Sequence, residues 1–328
     1  MIRTVLSAGA KAPALLAIAI GVLWAAQKPS AQQAGRAAAL DLVSTWTLAS
    51  LEQGVGGGQP TRVANPRGLL IFDAAGHAYE FVTSLGNQRT TGGQTPVADA
   101  QSAFAGYGGF WGNYRVDAAQ KKLTYKPEGA VSPQMMGGRE FSRSFESAGD
   151  RLTLTSLDEP HAPGGTRWVW ERAPTVDNLS PLYRRVVGFW QHVVEKRVNL
   201  TTGAVLSESK RAPSVIVYTP SGFVGVHFPP LNRKPFATDT PTPEEARAAF
   251  MGYVGYYGSL GVYPGMVFHN ILAGISPAQG TTLRRFVEIS GDQVTVRFPP
   301  TRNQQGQETT TLVTLKRLSS DADMLPAK

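Results

Sequence analysis

Ala103-Phe104-Ala105-Gly106-Tyr107-Gly108-Gly109-Phe110-Trp111-Gly112 returns as Ala249-Phe250-Met251-Gly252-Tyr253-Val254-Gly255-Tyr256-Tyr257-Gly258, 146 residues later. That spacing is far too long for a solenoid unit and fits one small domain written twice. The match continues outward in both directions. Upstream, Leu42-Val43-Ser44-Thr45-Trp46 pairs with Val186-Val187-Gly188-Phe189-Trp190, and Leu69-Leu70-Ile71-Phe72 with Val215-Ile216-Val217-Tyr218. Downstream, Val131-Ser132-Pro133 pairs with Ile275-Ser276-Pro277, and Gly149-Asp150-Arg151-Leu152 with Gly291-Asp292-Gln293-Val294. Each copy closes on a strand ending in a basic residue, Arg172 in the first and Arg317 in the second.

The 328 residues therefore divide into a first copy over 41–173 and a second over 182–318, joined by a turn-rich linker and expected to meet near residues 174–184. With 35 Gly and 23 Pro, the chain favours many turns and short strands over long helices. Apolar and polar residues alternate along several stretches. Trp168 and Trp170 share one face, Arg167, Val169 and Glu171 the other. Each copy reads as an antiparallel meander of about eight strands, and closure into a barrel removes the exposed edges of such a sheet. One short helix interrupts each meander. In the second copy Thr242 is an N-cap, Pro243 takes the first helical position and Glu245 completes a capping box. The first copy has a weaker equivalent from Thr95-Pro96 to Phe104. The fold class is all-β, with two tandem barrels.

Arg3 and Lys11 precede an uncharged run from Ala12 to Ala26, a basic segment followed by an apolar one. Residues 1–31 read as a secretory signal ending at Ala31, or as an uncleaved N-terminal anchor, since Pro29 fits a cleavage site poorly. The expected location is periplasmic or secreted. Zero cysteines exclude disulfides, thiolate catalysis and Cys-based zinc sites. The formal charge of +8 falls to +5 without residues 1–31, and the remaining basic residues are scattered, so no nucleic-acid partner is expected. A membrane contact is expected only through an uncleaved N-terminal segment. Asp158, Glu159 and His161 share a Pro/Gly turn without a partner cluster, so no metal is expected. Gly-x-Ser-x-Gly, HExxH and Walker sequences are absent, and no cofactor is expected.

The order of Trp strand, Tyr-x-Gly-Tyr segment, His-bearing strand Val267-Phe268-His269-Asn270-Ile271, Ser-x-Pro and terminal basic residue resembles the bacterial lipocalin-like domain family. The second copy carries the pattern more fully, because Tyr125 stands in the first copy where His269 stands in the second. The resemblance implies tandem lipocalin-like barrels, with no single activity attached to the family. It leaves three readings: a carrier of a small apolar or amphipathic molecule, a cofactor-independent isomerase, cyclase or hydratase, or a structural envelope protein with filled barrels.

His269 is the candidate acid–base group if the protein is an enzyme. The alternative is a core imidazole hydrogen-bonded to a neighbouring tyrosine or carbonyl, and alternation along the strand leaves its direction open. Tyr253, Tyr257, Tyr107 and Trp111 are candidate ligand-binding aromatics, with core packing as the competing role. Arg285 is a candidate anchor for a ligand carboxylate. His77, His192 and His227 read as isolated histidines on strands. The longer Pro-rich insert, Phe228 to Pro241, reads as a lid over a barrel mouth, which places the expected site in the second barrel.

Overall fold

In the computed structural model of the protein, the described residues are 40–325 apart from 58, 85–95, 157–163 and 278. The N-terminal segment 1–31 and the Asp158–His161 turn lie outside them.

The first barrel is built from β1 (Ser44–Gln53), β3 (Arg67–Phe72), β4 (His77–Thr83), β5 (Tyr107–Asp117), β6 (Lys122–Ala130), β7 (Phe141–Ala148), β8 (Arg151–Ser156) and β9 (Thr166–Arg172). Each strand pairs antiparallel with the next, and β1 closes the ring by pairing with both β3 and β9. The short β2 (Thr61–Arg62) extends the edge of β1. The second barrel repeats the plan with β10 (Gly188–Asn199), β12 (Val215–Tyr218), β13 (Phe223–Phe228), β14 (Val254–Tyr263), β15 (Met266–Ser276), β16 (Thr282–Ser290), β17 (Gln293–Arg297) and β19 (Glu308–Arg317). It too is closed, by β10 against β19, with β11 (Val205–Ser209) and β18 (Thr301–Arg302) as appendages. Two closed eight-stranded antiparallel barrels in tandem are what the repeat implies.

The repeat markers turn out to be the closure of each barrel. Trp46 sits opposite Arg172 and Trp190 opposite Arg317 in the strand register. Each indole N–H donates to a carbonyl four residues upstream, Leu42 at 3.0 Å and Val186 at 2.7 Å. Each guanidinium stacks on its tryptophan, at 4.3 and 4.0 Å from the ring centre. A bulge between Leu48 and Ser50, repeated between His192 and Val194, bends the first strand so that it can serve both neighbours.

Between the third and fourth strands of each barrel (β4 and β5, β13 and β14) lies the expected helix, α1 (Val97–Ala105) in the first and α3 (Pro243–Phe250) in the second. The Thr242 capping box is present with both reciprocal bonds. Two shorter helices, α2 (Pro181–Val186) and α4 (Asp321–Met324), frame the second barrel.

The barrels meet along their walls, well beyond the linker expected to join them. The outward faces of β4 and β5 bury Tyr79, Phe81, Tyr107 and Trp111 in one continuous apolar cluster with the second barrel, while the interior of the first barrel forms a separate core. Hydrogen bonds stitch the seam. The Tyr79 hydroxyl donates to Tyr256 O at 2.8 Å and accepts from the Val226 amide at 3.2 Å. Arg67 donates to Leu272 O at 3.0 Å, and the Trp111 indole to Pro213 O at 3.1 Å. The helices join in, with Phe104 of α1 packed at 5.5 Å against Phe250 of α3.

Candidate functional site

A cavity of about 430 Å³ occupies the end of the first barrel where β4 and β9 meet α1. Leu51, Val82, Phe104, Phe110, Met135 and Trp168 give it apolar walls. Strand alternation builds its floor. On β4, Ala78, Glu80 and Val82 face inward, and on β7, Phe141, Arg143 and Phe145 do the same. Glu80 and Arg143 thus enter the core as a buried ion pair, with contacts of 2.5 and 3.1 Å between two guanidinium nitrogens and the two carboxylate oxygens. Aromatic rings enclose the guanidinium, Trp168 at 4.0 Å and Phe141 at 5.3 Å from its carbon. Such a pair persists in a low-dielectric interior only when both ions are matched and tightly held.

The mouth of this cavity is completed by the other half of the chain. Asp239, Thr240 and Pro241 of the Pro-rich insert line it beside Gln101, Ser132 and Gly108. Arg233 ties the insert down, donating to Ala130 O at 2.6 Å and Val131 O at 2.5 Å on the first barrel and to Ala249 O at 3.3 Å. Gln134 adds three bonds, to the carbonyls of Phe236 and Thr238 and from the Phe236 amide. The insert is a strap whose end, Asp239 to Pro241, borders the cavity of the first barrel.

In the second barrel His269 does point inward, on one face with Val267 and Ile271, and is buried. Its Nδ1 lies 2.8 Å from the Tyr256 hydroxyl and its Nε2 3.2 Å from that of Tyr218. Burial, with the nearby Arg285 guanidinium second, lowers its pKa to about 3, so the imidazole is neutral. Arg285 is half-buried on the neighbouring strand and stacks 3.7 Å from the centre of the Phe298 ring. The corresponding residues of the first barrel are Phe72, Phe110 and Tyr125, with both phenylalanine rings against Tyr125 and Arg143 in the place of Arg285. One ring constellation is hydrogen-bonded in one barrel and predominantly apolar in the other.

The remaining aromatics do not gather around His269. Tyr253, Tyr257 and Trp111 lie in the seam between barrels, where Tyr253 binds His227, Tyr257 packs 6.1 Å from Phe81 and Trp111 bonds Pro213. Tyr107 borders the first-barrel cavity and donates across the seam to Gly274 O at 3.2 Å. His227 is not isolated. Its Nε2 is 2.8 Å from Glu80 O and its Nδ1 2.6 Å from the Tyr253 hydroxyl, which ties the second barrel to the strand carrying the cavity carboxylate. Burial lowers its pKa to about 4. His77 also has a partner, the Asp73 carboxylate at 2.8 Å. Burial pulls its pKa down, and the bond to Asp73 together with the charges of Asp73, Glu128 and Asp323 outweighs that, leaving it raised. Among the described residues no group of three His, Asp or Glu side chains is placed to hold a metal. Glu80 and Arg143 did not emerge from the sequence reading, although a single charge between apolar residues on one strand face, Ala78-x-Glu80-x-Val82 and Phe141-x-Arg143-x-Phe145, is the signal that marks each of them.

A family model described as a lipocalin-like domain matches residues 44–173 and again 187–318. No curated protein matches the chain. Among solved structures, a Trp-176-Ala mutant of transferrin binding protein B from Haemophilus parasuis Hp5 is 6% identical over 84% of this chain, with a TM-score of 0.20, and this chain spans 63% of it. A bifunctional dehydratase-cyclase domain of ambruticin biosynthesis is 14% identical, covering 85% of this chain and 97% of that one, with a TM-score of 0.14. The dehydratase domain of PpsC from Mycobacterium tuberculosis, solved with C12:1-CoA, is 10% identical over 88% and 84% of the two chains, with a TM-score of 0.10. Scores of this size carry no argument about this chain.

Proposed function

The chain belongs to the lipocalin-like domain family through both of its barrels, and from that premise we propose that it is an exported protein holding a small apolar or amphipathic molecule in its first barrel. The observation that carries this reading is the cavity of about 430 Å³, with apolar walls and a strapped mouth. That volume falls within the range of small-molecule sites, which are mostly apolar with a few polar groups that fix orientation. This reading favours the first barrel over the second, where the sequence reading put the site, because the imidazole of the second barrel is internally satisfied. Both ring nitrogens of His269 face tyrosine hydroxyls, so acid–base catalysis gains no support from the geometry. Export rests on residues 1–31.

Native mass spectrometry of the protein purified from its own host tests the carrier reading, with a co-purifying small molecule expected. Val82→Trp, which fills the cavity, should abolish the added mass with the fold intact. An empty wild-type protein, with no uptake of the neutral probe N-phenyl-1-naphthylamine, would sink the proposal. N-terminal sequencing of the native material tests export, and an intact Met1 in the cytosol would defeat it.

A further inference from the structure

Resting on the reading that the first barrel holds a ligand, we propose that the Glu80–Arg143 pair makes this cavity select molecules with an uncharged polar head over their anionic and cationic counterparts. The pair forms part of the cavity lining, and its side chains are only 4% and 1% exposed. Each ion already faces its opposite at hydrogen-bond distance. A carboxylate or ammonium that enters must shed its water, and the countercharge it would need is committed elsewhere. The guanidinium cannot readily turn to meet it, being stacked on Trp168 with Phe110, Tyr125 and Phe141 around it. A hydroxyl, carbonyl or amide sheds far less hydration and meets the field of a matched dipole.

The rest of the lining points the same way. Besides the pair, the charged residue bordering the cavity among the described residues is Asp239, at the mouth. Among the described residues, two carboxylates against one guanidinium therefore meet an approaching anion, and no basic residue of the lining at the mouth draws it in. A cation is attracted at the mouth, where water screens Asp239, and is opposed at depth by Arg143.

The test uses the full-length protein and three probes that share one chain: 1-decanol, decanoate and decylammonium, each titrated by displacement of N-phenyl-1-naphthylamine near neutral pH. Decanol is expected to bind about tenfold or more tightly than either ion. Decanoate or decylammonium binding as tightly as decanol overturns the inference while leaving the carrier reading in place. Failure of all three, with no uptake of the dye, overturns both. Glu80→Gln leaves the guanidinium unmatched and should reverse the order in favour of decanoate, and Arg143→Gln should do so in favour of decylammonium. An unchanged order in a folded variant also overturns the proposal. Should either variant fail to fold, the wild-type series still decides.

Discussion

The ring of Tyr79 lies against Gly225, and these two residues occupy the same position in their respective copies. A Cβ on Gly225 would come within 2.5 Å of the tyrosine ring. Contact between equivalent positions places a local two-fold relation close to this point, as in a homodimer whose subunits have been fused. The second copy has no side chain where the first has a tyrosine, and the tyrosine hydroxyl reaches Tyr256 O and the Val226 amide.

Gly225→Ala should accordingly overpack the seam and cost about 1–3 kcal/mol. Tyr79→Phe keeps the ring and loses two hydrogen bonds, with an expected cost of about 1–3 kcal/mol because partners are left buried and unsatisfied. Urea denaturation of both variants measures these. A neutral Gly225→Ala would mean that the barrels slide apart easily.

The same seam bears on the independence of the two copies. Expressed apart as residues 41–175 and 182–320, each half would expose the apolar faces that carry Phe81 and Trp111 or Tyr253 and Tyr257. Each is expected to melt below the parent, and the mixture to recover stability by reassociation. Calorimetry of the halves alone and mixed checks this.

Two buried histidines set the response to acid. The pKa values of His227 and His269 are lowered to about 4 and about 3, with burial the leading cause, against 6.5 as the reference. Below 6.5 the unfolded chain takes up protons that the folded protein refuses. Stability therefore falls as pH drops from about 6.5 toward 4, by up to about 1.4 kcal/mol per pH unit for each histidine. Chemical denaturation across that window should show the slope, and His269→Gln should flatten it. His77, whose pKa is raised, acts in the opposite sense, contributing stability that is lost as pH rises through its folded value.

Substituting His269 also separates the carrier from the catalyst. His269→Phe leaves the Tyr218 and Tyr256 hydroxyls without the imidazole, and a loss of about 1–3 kcal/mol is expected. Ligand retention in the first barrel should stay unchanged. Loss of retention without loss of stability would return the site to the second barrel.

Arg233→Ala should release the strap. Its guanidinium makes the bonds to Ala130 O and Val131 O, and removing it should speed ligand dissociation with a stability cost of about 1–3 kcal/mol. Stopped-flow displacement of bound dye measures the rate, and an unchanged rate would mean that the strap does not gate the mouth.

The barrels were legible because repeated blocks, alternation and turn residues are local signals. Trp46, Arg172 and their counterparts could be read as markers without any knowledge that they touch. Side-chain direction was less accessible. Val267-Phe268-His269-Asn270-Ile271 carries apolar residues on both faces, since neither face of this strand is wholly wet, and periodicity alone could not orient it. Tyr253, Tyr257 and Trp111 looked like pocket residues because a strand buried by a second barrel has the same composition as one lining a cavity. Glu80 and Arg143, 63 residues apart, are joined by the curvature of a closed sheet, which no short window of sequence displays.

The strap makes the two copies unequal partners. The wall of the first cavity is written in residues 51–168, its rim in residues 239–241, so a change in the cavity's mouth can be inherited through a stretch of the chain that belongs to the neighbouring repeat. Recombination that exchanges the first copy alone would deliver a vessel under a foreign stopper. Selection on the shape of that cavity must therefore act on both copies together, which ties the pair more firmly than any linker does.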